Sequence, residues 1–256
     1  MEKESKSLFR WEPGPDALFA FGTGAIVVLL SLAMLPFKDP VWVNIVIRDL
    51  FQILFVGLLI PATYLVNSGS SPAEFGFTWR RWPLHLVINL VLGGLLLMLF
   101  LKNSPPANGF VINSTTLATA GYVFFALIFE LVFFYGFLRT LFERAFGIVP
   151  AIVLTAALYS LHHIGFQPEF GKLFVVGLIY ATAFRIGNSA LTIFPFFLGI
   201  GGLYDVLIQS DKVTLPAYPG IRIMYLTVAF IGVIFYIMRG FRLREEAVKD
   251  ILVGKK

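Results

Sequence analysis

The chain has 256 residues, of which 58% are hydrophobic, 16% aromatic and only 14% charged, against roughly 25% charged in an ordinary soluble domain. With a mean hydropathy of +0.84 and repeated apolar runs near the ~20 residues needed to cross a bilayer, that composition excludes a soluble globule. The net charge of +5 would suit a nucleic acid, but basic residues flanking membrane helices have a commoner origin in topology, so no nucleic-acid partner is expected.

In hydrocarbon every backbone polar group must be satisfied internally, and these runs lack the apolar/polar alternation of barrel strands. The fold class is therefore all-α, a polytopic transmembrane helical bundle. The opening MEKESKSLFRWEPGPD has no basic stretch leading into a short apolar core and cleavage site, so the first span is expected to stay in the mature protein. About eight spans are predicted near 17–37, 48–66, 83–101, 115–141, 147–165, 170–186, 188–208 and 222–238. The fourth is too long for a simple crossing, so it is tilted or runs on through Leu141 to Arg144. The fifth to seventh form tight hairpins. The tail FRLREEAVKDILVGKK reads as a surface-lying amphipathic helix or a solvated basic tail. No repeat or long linker divides the chain, so residues 1–256 are expected to form one membrane domain.

With a cytoplasmic N-terminus, fourteen of the twenty Lys and Arg fall in inside segments and six outside. That asymmetry predicts both termini in the cytoplasm, in an integral protein of the plasma membrane.

Charge at membrane depth costs about 2.5–3.5 kcal/mol on insertion scales, which makes such residues functional candidates. Asp49 stands at a span edge; among the acids only Glu130 and Asp205 fall well inside apolar runs. Glu130, in FFALIFELVFFYGFL, needs a partner or water. Its candidate partners are His162 and His163 on the next span. Adjacent helical residues point about 100° apart, so at most one imidazole should face a given site. Tyr159, four residues before His163, favours His163 as the inward one. Helical counting sets Glu130 nine residues before Arg139, and His163 sixteen after Gly147. For straight helices those depths disagree. A facing Glu and His can hold and activate water, the Glu as general base. A pair bracing two helices, a proton relay, or a metal site including Asp205 uses the same residue types. Adjacent histidines on one helix chelate poorly, and neither HExxH nor any Cys is present, so no metal and no cofactor are expected. His85 is expected at the interface.

The run Glu130-Leu-Val-Phe-Phe-Tyr-Gly-Phe-Leu, then Tyr159-Ser-Leu-His-His163, then GLIYATAFRIGNSALTIFPFFLGIGGLYDVL resembles the CAAX prenyl protease and bacteriocin-processing family of intramembrane glutamic endopeptidases. The resemblance covers residues 72–208, opening with PAEFGFTWRRWP. It implies a Glu-activated water that cuts a membrane-associated peptide or protein, such as a prenylated CaaX peptide or a leader peptide. The first family motif, Glu-Glu-x-x-x-Arg, is met by Glu130, with Leu131 for the second Glu and Tyr135 for the Arg. The second, Phe-x-x-x-His, is met as Tyr159 and His163. The third, His-x-x-x-Asn or His-x-x-x-Asp, is met only at Asp205, with Gly201 in place of the His. The implied catalytic set is Glu130, His163 and Asp205, supported by Tyr135, Tyr159 and His162. A degenerate member that binds a membrane partner without cutting it, and a small proton-coupled carrier, are the alternatives.

Overall fold

The computed structural model describes residues 7–36, 41–104, 112–165, 169–208 and 216–253. Eight helical segments follow in order: α1 (Pro15–Ala33), α2 (Val41–Ser68), α3 (Trp82–Asn103), α4 (Ser114–Phe146), α5 (Ile148–His162), α6 (Phe170–Gly187), α7 (Phe196–Ile208) and α8 (Pro219–Val253). No strand occurs among the described residues, so the all-helical bundle stands. Six of the eight are long and apolar enough to cross a membrane. The other two, α5 and α7, have 15 and 13 residues, or roughly 22 and 20 Å at 1.5 Å per residue.

Local chemistry sets the ends. The Asn113 side chain accepts from Thr116 N at 2.9 Å, and Thr116 Oγ1 accepts from Asn113 N at the same distance, a reciprocal cap that starts α4. The predicted seventh span is broken: Pro195 cannot continue a helix from 188, and α7 starts afresh at Phe196. Its free Phe196 and Phe197 amides donate to Oδ1 of the buried Asn89 on α3 at 2.9 and 3.0 Å, which satisfies a helix end inside the bundle.

The α4–α5 connection is Gly147 alone, at φ +85°, where an added Cβ would press on the carbonyls of Ser7 and Leu8. Those carbonyls belong to an N-terminal strap laid over the turn. Arg10 and Glu12 amides donate to Phe146 O and Ala145 O at 2.9 and 2.8 Å, and the Ile148 and Val149 amides donate back to Ser7 O and Leu8 O. The strap thereby pairs the orphan groups of two helix termini.

Two sets of charges inside the bundle are closely paired. Asp49 is fully buried, not at a span edge, because α2 begins at Val41 and Asp49 lies two turns in. Its carboxylate receives Arg222 of α8 at 2.6 and 2.7 Å, Tyr122 of α4 at 2.8 Å, and the Tyr225 hydroxyl. Arg222 also stacks 4.1 Å from the Tyr122 ring centroid. At the opposite end, Arg139 is buried against Glu143 at 2.6 Å, and Glu143 reaches Arg185 at 2.7 Å. Removing one partner of such a pair strands a charge and costs about 3–5 kcal/mol, whereas apolar replacement of both is far milder. Asp49→Ala and Arg222→Ala should each destabilise the purified protein by about that amount in detergent unfolding, and Asp49→Leu/Arg222→Met should recover most of it. A double variant as unstable as the singles would refute pairing as the brace.

Candidate active site

The site is built where α4 widens. From Leu131 to Leu138 the helix runs in broad i→i+5 turns, a geometry that recurs at functional positions. Five residues separate Glu130 from Tyr135, so the widened turn carries both onto one side. Phe129, Phe133, Phe134 and Phe137 pack around them, all at most 3% exposed, and Glu130 itself retains 8%.

α5 supplies the opposite wall. It ends at His162, and His163 opens a tighter turn to Gly165. Both rings nevertheless reach the site, which corrects the expectation that only one imidazole can face it. Both Nδ1 atoms lie 2.8 Å from the Tyr159 carbonyl oxygen, and the ring centroids are 3.9 Å apart, nearly perpendicular at 83°. The Nε2 atoms of His163 and His162 then stand 3.6 and 3.9 Å from Glu130 Oε1. A carbonyl only accepts, so each Nδ1 donates, and each neutral ring turns an unprotonated Nε2 toward the carboxyl group.

The depth conflict in the helical counting also has a cause. Arg139 is no loop residue; α4 continues to Phe146, so Glu130 lies 17 residues before Gly147 and His163 lies 16 after it. Counted in residues, the two stand at nearly the same distance from the turn. The two antiparallel helices deliver their residues to one level.

Tyr159 and Tyr135 join the group with ring centroids 5.7 Å apart, and Tyr159 lies 4.7 Å from the His163 ring. Tyr135 is fully buried, and its hydroxyl makes no hydrogen bond of good geometry among the described residues. Asp205 belongs to α7, but its side chain lies outside the described residues. His85, expected at the interface, is buried near the start of α3 with its Nδ1 3.1 Å from Thr192 Oγ1.

Two further groups escaped the sequence reading. Tyr180 of α6 lies 6.0 Å, ring to ring, from Tyr135, and its hydroxyl donates to Phe197 O at 3.3 Å. A Cβ added at Gly201 would overlap that hydroxyl, so Tyr180 fills the space that a side chain at position 201 would take. Arg48 of α2 lies within electrostatic reach of Glu130 and both imidazoles. It restores to the neighbourhood a cation that Tyr135 does not supply. Its signal was the Arg48-Asp49 pair inside an otherwise apolar run.

Metal-binding capacity follows from the same geometry. Glu130, His162 and His163 offer three ligand atoms within 4.8 Å of one another, a set that could hold a divalent cation. That spacing overrides the argument that neighbours on one helix chelate poorly.

Residues 112–198 match the family described as type II CAAX prenyl endopeptidase Rce1-like. No curated protein and no solved structure matches the chain. The matched segment contains Glu130, Tyr135, Tyr159, His162 and His163, and it stops short of Gly201 and Asp205. That segment of the chain is similar to the type II CAAX prenyl endopeptidases, a likeness confined to residues 112–198.

Proposed function

We propose that this CAAX protease-like membrane protein is an endopeptidase that cuts a peptide bond in a membrane-associated segment by means of a water activated at Glu130. The observation that carries the reading is the convergence of two oriented imidazoles, at 3.6 and 3.9 Å, on one buried carboxyl oxygen. A general base and its partner at such distances leave room for a water between them.

The chemistry follows from the tautomer. Ionised Glu130 takes a proton from water as the water oxygen bonds to the carbonyl carbon. The proton passes to His163 Nε2, because that nitrogen starts unprotonated, and from there to the leaving nitrogen as the C–N bond breaks. His162 occupies the same relation to Glu130 and holds the second side of the site. The developing oxyanion requires a donor, and the Tyr180 and Tyr135 hydroxyls are the nearby candidates in the absence of a third-motif His; each such donor is worth about 10²–10³ in rate. Asp205 remains assigned to the site by its place in the third motif, as an orienter of such a donor. Prenylated CaaX peptides and leader peptides are the substrate classes.

A second reading is favoured by the ligand spacing. A divalent cation held by Glu130, His162 and His163 would supply Lewis-acid activation of water, and Nδ1-pinned imidazoles are suitably oriented ligands.

A purified sample should cleave a farnesylated CaaX peptide or a leader peptide, and Glu130→Gln should lower kcat at least about 10³-fold without loss of fold. Tyr180→Phe should lower kcat about 10²-fold with KM little changed. Cleavage that survives Glu130→Gln would overturn the assignment. Activity lost to a chelator and restored by zinc alone would select the metal reading over the direct one.

Topology adds a second expectation. With buried Arg139 and Arg222 removed from the count, thirteen basic residues remain on the side that carries Gly147 and five on the other, so we assign the Gly147 side and both termini to the cytoplasm. In intact cells, an impermeant thiol reagent outside should label Glu169→Cys and not Ser71→Cys. The reverse pattern would invert the topology.

A further inference from the structure

Between α3 and α6 lies a groove of about 800 Å³, within the size range of small-molecule sites. Leu84, Ile88 and Leu92 line one wall at four-residue spacing, and Leu178, Ile179 and Ile186 line the other. It is separate from the candidate active site: Tyr180 and Phe184, on the opposite face of α6, are buried in the core, while the groove takes the α6 residues that look outward.

The groove has a polar end and an apolar end. Arg80 and Arg81 line the mouth with Thr78 and Asn188, and no Asp or Glu is among its lining residues. Neither guanidinium forms an ion pair or side-chain hydrogen bond among the described residues, although the neighbouring Arg144 has two carboxylate partners, Glu74 and Asp16. Trp79 and Trp82 bracket the arginines and are 76% and 50% exposed. Exposed tryptophans at the start of a 22-residue apolar helix mark the headgroup level of a bilayer. From Trp82 to Leu92 the wall descends ten residues, roughly 15 Å at 1.5 Å per residue, which is the depth of one leaflet of a ~30 Å hydrocarbon core.

From these observations we infer that the groove binds one anionic phospholipid, its phosphate held between Arg80 and Arg81 and an acyl chain lying along Ile88, Leu92 and Ile179. Charge selects the occupant. Two cations without carboxylate partners at the headgroup level favour a lipid of net negative charge over a zwitterionic one. The inference stands apart from the proteolytic reading, since it uses no residue of that site.

The test uses the full chain in detergent, titrated with phosphatidylglycerol or phosphatidylcholine and read by native mass spectrometry and by unfolding temperature. Phosphatidylglycerol should form a 1:1 adduct about tenfold tighter than phosphatidylcholine and raise the unfolding temperature. Arg80→Gln/Arg81→Gln should abolish the preference, and Thr182→Trp, which fills the apolar wall, should weaken both lipids while the arginines remain. Arg239→Gln/Lys249→Gln on the exposed tail should change neither. Equal binding of the two lipids, a preference that survives Arg80→Gln/Arg81→Gln, or an equal loss in the tail variant would overturn the proposal. Inorganic phosphate giving the same stabilisation at equal concentration would identify a phosphate-ion site and overturn the lipid.

Discussion

A charge inside an apolar bundle must meet its partner there, and the arrangement of helices follows from how this chain meets that demand. Asp49 draws α2, α4 and α8 together by accepting from Arg222, Tyr122 and Tyr225. Arg139, Glu143 and Arg185 tie α4 to α6 at the other end. Between the two braces stands Glu130, whose contacts with His163 and His162 exceed hydrogen-bond length. The braces satisfy their carboxylates with close donors, and this carboxyl group is left with reactive capacity. The closely paired braces on either side are what allow such an under-paired group to persist.

The Tyr159 carbonyl fixes what Glu130 faces. Neighbouring helical residues diverge by about 100°, yet both Nδ1 atoms turn to this one carbonyl, and Tyr159 also sets its ring against His163. Tyr159 thus orients through its backbone, a role that its side-chain identity does not encode. The orienting contact visible here belongs to the peptide group.

Much of this was legible in the residues themselves. Hydropathy located eight helical segments because a ~20-residue apolar run has few other fates. The Glu130–His163 neighbourhood followed from two polar positions on consecutive helices. What stayed hidden depends on helix ends and on long-range contact. Reading Asp49 as an edge residue followed from starting the span at 48; the helix begins at Val41 because Val, Trp and Val extend the apolar run. Measuring depth from Arg139 set Glu130 too near the end of a helix that continues to Phe146, since a buried Arg is legible only once Glu143 and Arg185 are known to flank it. Tyr180 and Arg48 reach the site from α6 and α2, and no spacing within either helix announces a target on another.

The strap formed by residues 7–12 has a consequence for the order in which the chain is assembled. Its hydrogen-bond partners, Ala145 to Val149, are made about 140 residues later, which at ~5–20 residues per second is a delay of roughly 7–28 s. Throughout that interval the strap has its amides and carbonyls without their native partners. It acts as a timer: the bundle can close at this end only after the hairpin that carries Glu130 and His163 has entered the membrane. A stall in synthesis before Gly147 would therefore leave the strap undocked.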